Sequence, residues 1–156
     1  MALSTPVSTG FAQSFKAALV DVDTVAIEPL GMIRYERNAV YKYVKFSGTT
    51  SIAIGDVLCY VASDTTNQTV DGANTALGAG IAITVVAAAT VQYGWIQIEG
   101  VATLSMALAG SPAVGDGMTT ASASAGAVTK SAAANSMIVG NVVHVANKIL
   151  ACRFPH

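Results

Sequence analysis

Charge is what this sequence has least of. Asp, Glu, Lys and Arg make up 11% of its 156 residues, against about 25% in an average soluble protein. So few charges leave little to solvate a large monomeric surface. Such a chain is expected either to enter a membrane or to hide surface against other protein. Eight Lys and Arg against nine Asp and Glu give a net charge of −1, which argues against nucleic acid as a partner because such domains carry a basic excess. An apolar content of 53% excludes disorder, which needs the opposite composition.

Cysteine is equally sparse. Cys59 and Cys152 stand far apart, with no C-x-x-C and no Cys/His cluster, so neither a zinc site nor any other cofactor is expected. The start Met1-Ala2-Leu3-Ser4-Thr5-Pro6 has no basic or apolar signal region, and synthesis in a reducing cytoplasm is the expectation. Gly72 to Ile98 holds no charge and is long enough to span a bilayer. Gly72, Asn74, Gly78, Gly80, Gln92 and Gly94 interrupt it, however, and its apolar residues are mostly Ala, Ile and Val. β-Branched residues prefer strands, so no membrane association is expected.

Leu and Glu at helical spacing are missing too, which excludes long amphipathic helices. What is present is a series of short apolar runs bounded by Gly, Asp, Asn and Ser. Strands are predicted at Tyr41–Phe46, Val57–Ala62, Gly80–Val86, Gly94–Glu99, Val101–Ala107, Ile138–Val145 and Lys148–Phe154. Alternation in Trp95–Glu99 turns Ile96 and Ile98 to one side together. Seven strands without helices between them predict an all-β fold, a compact sandwich or barrel.

The chain also echoes itself. Ser51-Ile52-Ala53-Ile54-Gly55-Asp56 recurs as Ser111-Pro112-Ala113-Val114-Gly115-Asp116, at an offset of 60, and Gly80 recurs as Gly140 at the same offset. Gly supplies a conformation other residues avoid and Asp bonds the nearby backbone, so Gly-Asp marks a turn before a strand. The β domain, 29–156, is therefore expected to be two eroded tandem β repeats, about 41–100 and 101–156, sharing one core. Polar loops are expected at Ser63–Asn74 and Thr120–Ala134.

Residues 1–28 lack the apolar density for a core and are expected to form an extended N-terminal arm. Phe11, Phe15 and Leu19 recur every four residues and would share one side of a helix. The arm is expected either to pack back on its own oligomer or to order against a partner, with Lys16 near an acidic group. On the first alternative its apolar side chains are covered at home; on the second, deleting the arm would leave the melting temperature nearly unchanged.

No catalytic set closes. His144 lies in an apolar run with nothing in its spacing to couple it to Ser111 or Asp116, and reads as a satisfied strand histidine. Asp56 and Asp116 read as turn residues. Cys59, in Val57-Leu58-Cys59-Tyr60-Val61, reads as a buried thiol without a cationic neighbour. There is no P-loop, G-x-S-x-G or H-E-x-x-H, and no enzyme activity is expected. The one charge cluster is Arg34-Tyr35-Glu36-Arg37 with Lys42 and Lys45, interleaved with Tyr41 and Tyr43. Arg and Tyr together suit a protein interface.

Pro29-Leu30-Gly31-Met32-Ile33-Arg34, Tyr41–Gly48, Ala53–Leu58, Gly80-Ile81-Ala82 and Tyr93–Ala102 together form a cadence of strands and Gly turns. It resembles the small decoration (cement, or head-stabilising) proteins of tailed bacteriophages, over roughly residues 29–154. The resemblance implies a non-enzymatic β protein, a homotrimer, seated on the outside of an icosahedral capsid and bridging major capsid subunits. An N-terminal arm often contacts the capsid in such proteins. Phe11, Phe15, Lys16, Leu19, Arg34, Tyr35 and Arg37 are the expected capsid or subunit contacts. A carbohydrate- or ligand-binding β module of a head fibre or other surface appendage is the alternative.

Overall fold

A computed structural model of the chain describes residues 15–72, 77–120, 124–132 and 137–154. The fold is all-β: among the described residues there are eleven strands and no helix. They are β1 (Val22–Asp23), β2 (Ile33–Glu36), β3 (Ala39–Phe46), β4 (Val57–Tyr60), β5 (Thr69–Asp71), β6 (Gly78–Ala82), β7 (Gln92–Thr103), β8 (Gly117–Thr120), β9 (Val128–Lys130), β10 (Gly140–His144) and β11 (Ile149–Arg153).

Pairing closes on itself. β3 runs parallel to β5, β5 pairs β4, β4 pairs β6, β6 pairs β7, and β7 returns to β3. These five strands form a small barrel. β7 then continues past Gly100 and pairs with β11, from Glu99↔Arg153 to Thr103↔Ile149. Beyond β11 lie β10, β8 and β9. A single parallel bridge, Ala109 to Thr129, ties β9 to the chain leaving β7. The order 5-4-6-7 on one side of the sheet is thus mirrored by 9-8-10-11 on the other. β7 belongs to both, which is why one apolar cluster, from Val40 and Val44 to Leu150 and Phe154, runs through both halves.

The two turns that precede β4 and β8 have the same geometry. Asp56 accepts from the Ala53 N–H and Asp116 from the Ala113 N–H, both at 2.7 Å. Gly55 and Gly115 hold φ at +89° and +90°, a region L side chains rarely enter. Their N–H groups donate to Ala82 and Val142, each at 2.8 Å. At Gly55 a side chain would also collide with the Ser105 backbone nitrogen, at 2.6 Å; Gly115 has open space beside it.

Several strands differ from expectation. Gly94–Glu99 and Val101–Ala107 are one strand to Thr103, because Gly100, at φ +109°, carries the chain through without a break. The expected loops Ser63–Asn74 and Thr120–Ala134 contain β5 and β9. Each is three residues long, too short to show a period of its own. β8 was hidden by having one buried apolar residue, Met118, among Gly and Thr.

Residues 15–28 hold no helix, so the four-residue spacing of Phe15 and Leu19 does not build a helical stripe. This segment lies against the outside of the first barrel. β1 pairs with β7, Val22 opposite Gly94, and Thr84 Oγ1 donates to the Val20 carbonyl at 3.1 Å. Phe11 lies outside the described residues. No helix among the described residues is long and apolar enough to cross a membrane.

Candidate functional site: the β2–β3 hairpin and the segment laid across it

The charge cluster falls on one hairpin. Glu36 pairs with Ala39 and Ile33 with Lys42, leaving Arg37-Asn38 as the turn. Arg37 holds φ at +54°, a left-handed conformation costly for a side chain with a Cβ. Alternation then separates the residues by face.

On one face of the hairpin Arg34 is a hub. Its guanidinium lies 4.8 Å from the Phe15 ring centroid and 5.8 Å from that of Trp95. It donates to the Ala17 carbonyl at 3.2 Å and pairs with Glu36 at 2.5 Å. Phe15 meets Trp95 edge-on, centroids 5.5 Å apart, and Tyr43 packs on the other side of the indole at 5.2 Å. Ala17, Tyr43 and Trp95 form a second buried cluster, with Leu19, Met32, Tyr41 and Tyr93 around it. Glu28, itself buried, accepts from the Lys16 and Ala17 backbone N–H groups. The 15–19 segment is therefore strapped down by a carboxylate from one side and a guanidinium from the other. Charge-assisted bonds of this kind are about twice as strong as neutral ones.

On the other face the side chains go elsewhere. Tyr35 is 76% exposed. Lys42 points into the barrel, 5% exposed, where its ammonium donates to the Tyr60 hydroxyl at 2.9 Å. Back on the first face, Tyr41 stands opposite Arg34, and burial pushes its phenol up, with Glu36 adding to the shift and Arg34 opposing it. The four basic residues of the cluster thus do not share one face: Arg34 is ion-paired, Lys45 lies on the Arg34 side of β3, Lys42 is internal, and Arg37 stands at the tip.

A cleft of about 460 Å³ opens between the hairpin tip and the outer face of β7 and β11. Tyr35, Arg37, Glu99, Val101, Asn141 and Arg153 are among its lining residues. A second cleft, of about 420 Å³, flanks the same tip and includes Leu19 and Tyr41. Of the expected contact residues, Phe15 meets Arg34, Leu19 packs against the same buried cluster, Lys16 beside them is exposed, and Tyr35 and Arg37 border the first cleft. Glu99 and Arg153 escaped sequence reasoning because only the β7–β11 register brings them opposite each other.

The remaining reactive groups are occupied structurally. His144 is exposed at the β10–β11 turn, where Nδ1 accepts from the Asn147 N–H at 3.2 Å. Burial pushes the Cys152 thiol up to about 12; it donates to the Gly100 carbonyl at 3.0 Å. Asp56 also accepts from the Ser105 hydroxyl, and Asp116 is paired with Lys130 at 2.8 Å. Among the described residues no group of three His, Cys, Asp or Glu is placed to hold a metal ion.

No family model matches this chain, and neither the curated proteins nor the solved structures contain a match to it.

Proposed function

We propose that the chain is a non-enzymatic structural virion protein. It binds the outside of an icosahedral phage capsid at the host-assembled head, as a homo-oligomer for which three copies are expected, and stabilises it by bridging major capsid subunits. The observation that carries this reading is the surface. Sixteen large apolar side chains among the described residues are exposed, including Val20, Val25, Ile54, Val85, Val101 and Val114, on a chain that is 11% charged. A surface so poor in charge is hard to keep solvated on an isolated monomer, and large permanent interfaces are built of apolar surface. Lys16, Tyr35 and Arg37, which reach solvent, are the contacts offered to a neighbour, whereas Phe15 and Arg34 hold down the segment that carries Lys16.

The test is to mix the purified chain with undecorated heads assembled from a tailed-phage major capsid protein encoded in the same genome. Electron microscopy should show ordered density on the outer surface, and heads should survive heating better. Undecorated heads at saturating protein would overturn the reading. The exposed Tyr35 beside Arg37 and Arg153 in an open cleft favours the second reading, a carbohydrate- or ligand-binding module of a surface appendage. Glycan-array binding abolished by Tyr35→Ala, without head binding, would support it instead.

A further inference from the structure

The outer face of β7, β11 and β10 carries a row that runs straight across three strands. Val101 stands opposite Ala151, and Ala151 opposite Asn141. Val101 is 64% exposed, and Val143 on β10 is exposed as well. Alternation sends the intervening residues Leu150, Cys152 and Val142 into the core, which leaves the Val101 and Val143 side chains facing outward. At the edge of this row the hairpin tip raises Tyr35 and Arg37 to form the wall of the first cleft.

Three charged side chains line that cleft: Arg37, Glu99 and Arg153. Glu99 and Arg153 are cross-strand partners, yet they form no ion pair, the pairs among the described residues being Arg34–Glu36 and Lys130–Asp116. Arg37 is held in the left-handed region, where glycine would sit without strain. A strained arginine at a tip points to use of its side chain.

We infer that this face is the contact between copies of the chain, with Glu99 of one copy accepting from Arg37 or Arg153 of the next while Tyr35 and Val101 are buried at the join. The inference rests on the homo-oligomeric part of the proposed function and assigns it a surface. A second copy is the occupant because both signs stand side by side around an apolar centre. A partner of one sign would leave either Glu99 or both arginines unmatched, whereas a closed ring of copies sets Glu99 of each against an arginine of the next. At a net charge of −1 two copies do not repel each other at long range.

Sedimentation velocity of the full chain tests this. The natural chain is expected to be oligomeric at about 10 µM, a range in which interfaces of ordinary size are populated. Glu99→Arg should weaken association at least about tenfold. Combining Glu99→Arg with Arg37→Glu and Arg153→Glu restores the opposite signs and should restore assembly. Arg37→Gly should melt no lower than the natural chain yet associate more weakly, which separates a contact role from a folding role. A natural chain that is monomeric at that concentration overturns the inference, as does a Glu99→Arg variant that assembles unchanged or a triple variant that folds but stays monomeric. Head binding is scored separately. A monomer that decorates heads overturns only the copy–copy surface; an oligomer held by these residues that ignores heads overturns only the capsid reading.

Discussion

Asp56 and Asp116 hold the same position in two turns sixty residues apart: each accepts the N–H of the alanine three residues before it, at 2.7 Å. Their second partners differ. Asp56 accepts from the half-buried Ser105 hydroxyl on the chain leaving β7, and Asp116 from the exposed end of Lys130.

That difference gives the first prediction. Asp56→Ala removes a backbone acceptor and leaves the Ser105 hydroxyl unpaired, at about 1–2 kcal/mol. For a chain of this size that is a fall in melting temperature of about 3–6 °C. Asp116→Ala should lower it less, because its ion pair is solvent-screened. Differential scanning calorimetry of both variants checks the order.

Asp64 predicts a pH dependence. Its carboxylate accepts from the Thr66 and Gln68 N–H groups, from the Thr69 N–H at 2.5 Å, and from the Thr66 hydroxyl. The Thr69 bond foremost holds its carboxyl well below the usual carboxylate range. A lowered folded-state pKa means that the unfolded chain binds protons first. The contribution is therefore complete above the unfolded value near 3.9 and is lost as pH falls from there toward the folded value. Denaturant midpoints should decline through this acid range, and less steeply in Asp64→Ala.

Trp95 reports on the segment that covers it. It is the only tryptophan, fully buried beneath Phe15 and beside Tyr43. Deleting residues 1–28 strips Phe15 and the buried Ala17 from it, and should cost roughly 3–5 kcal/mol, as truncating a large core residue does. The unchanged melting temperature expected of a detached arm therefore gives way to a lowered one, with red-shifted indole emission. Arg34→Ala should produce part of that shift, and Arg34→Lys should not restore it, because an ammonium cannot stack on two rings and bond the Ala17 carbonyl as a planar guanidinium does.

Lys42 is a buried cation whose hydrogen bond goes to a neutral phenol, Tyr60. Burying an ammonium without a carboxylate is costly. Lys42→Met, similar in volume, should be neutral or stabilising by about 1–3 kcal/mol. Tyr60→Phe, which leaves the ammonium without its acceptor, should destabilise by about 1–3 kcal/mol. Urea titrations distinguish the two signs.

Much of the architecture is local in origin, and that part was legible. Alternation places Ile96 and Ile98 in the core, since the two-residue period of a strand is written in consecutive side chains. The Gly-Asp turns at Gly55-Asp56 and Gly115-Asp116 follow from backbone conformations that only a few residue types accept. The absence of long helices among the described residues follows from the absence of helical spacing. Tertiary structure decided the rest. β5 and β9 are strands because neighbours supply their hydrogen bonds, not because three residues prefer to be extended. Trp95 and Tyr43 are buried on the outside of a barrel because residues 15–19 fold back over them. Arg37 meets Glu99 and Arg153 at one cleft because β7 lies between β3 and β11. Such meetings depend on registers between segments far apart in the chain, and no local period records them.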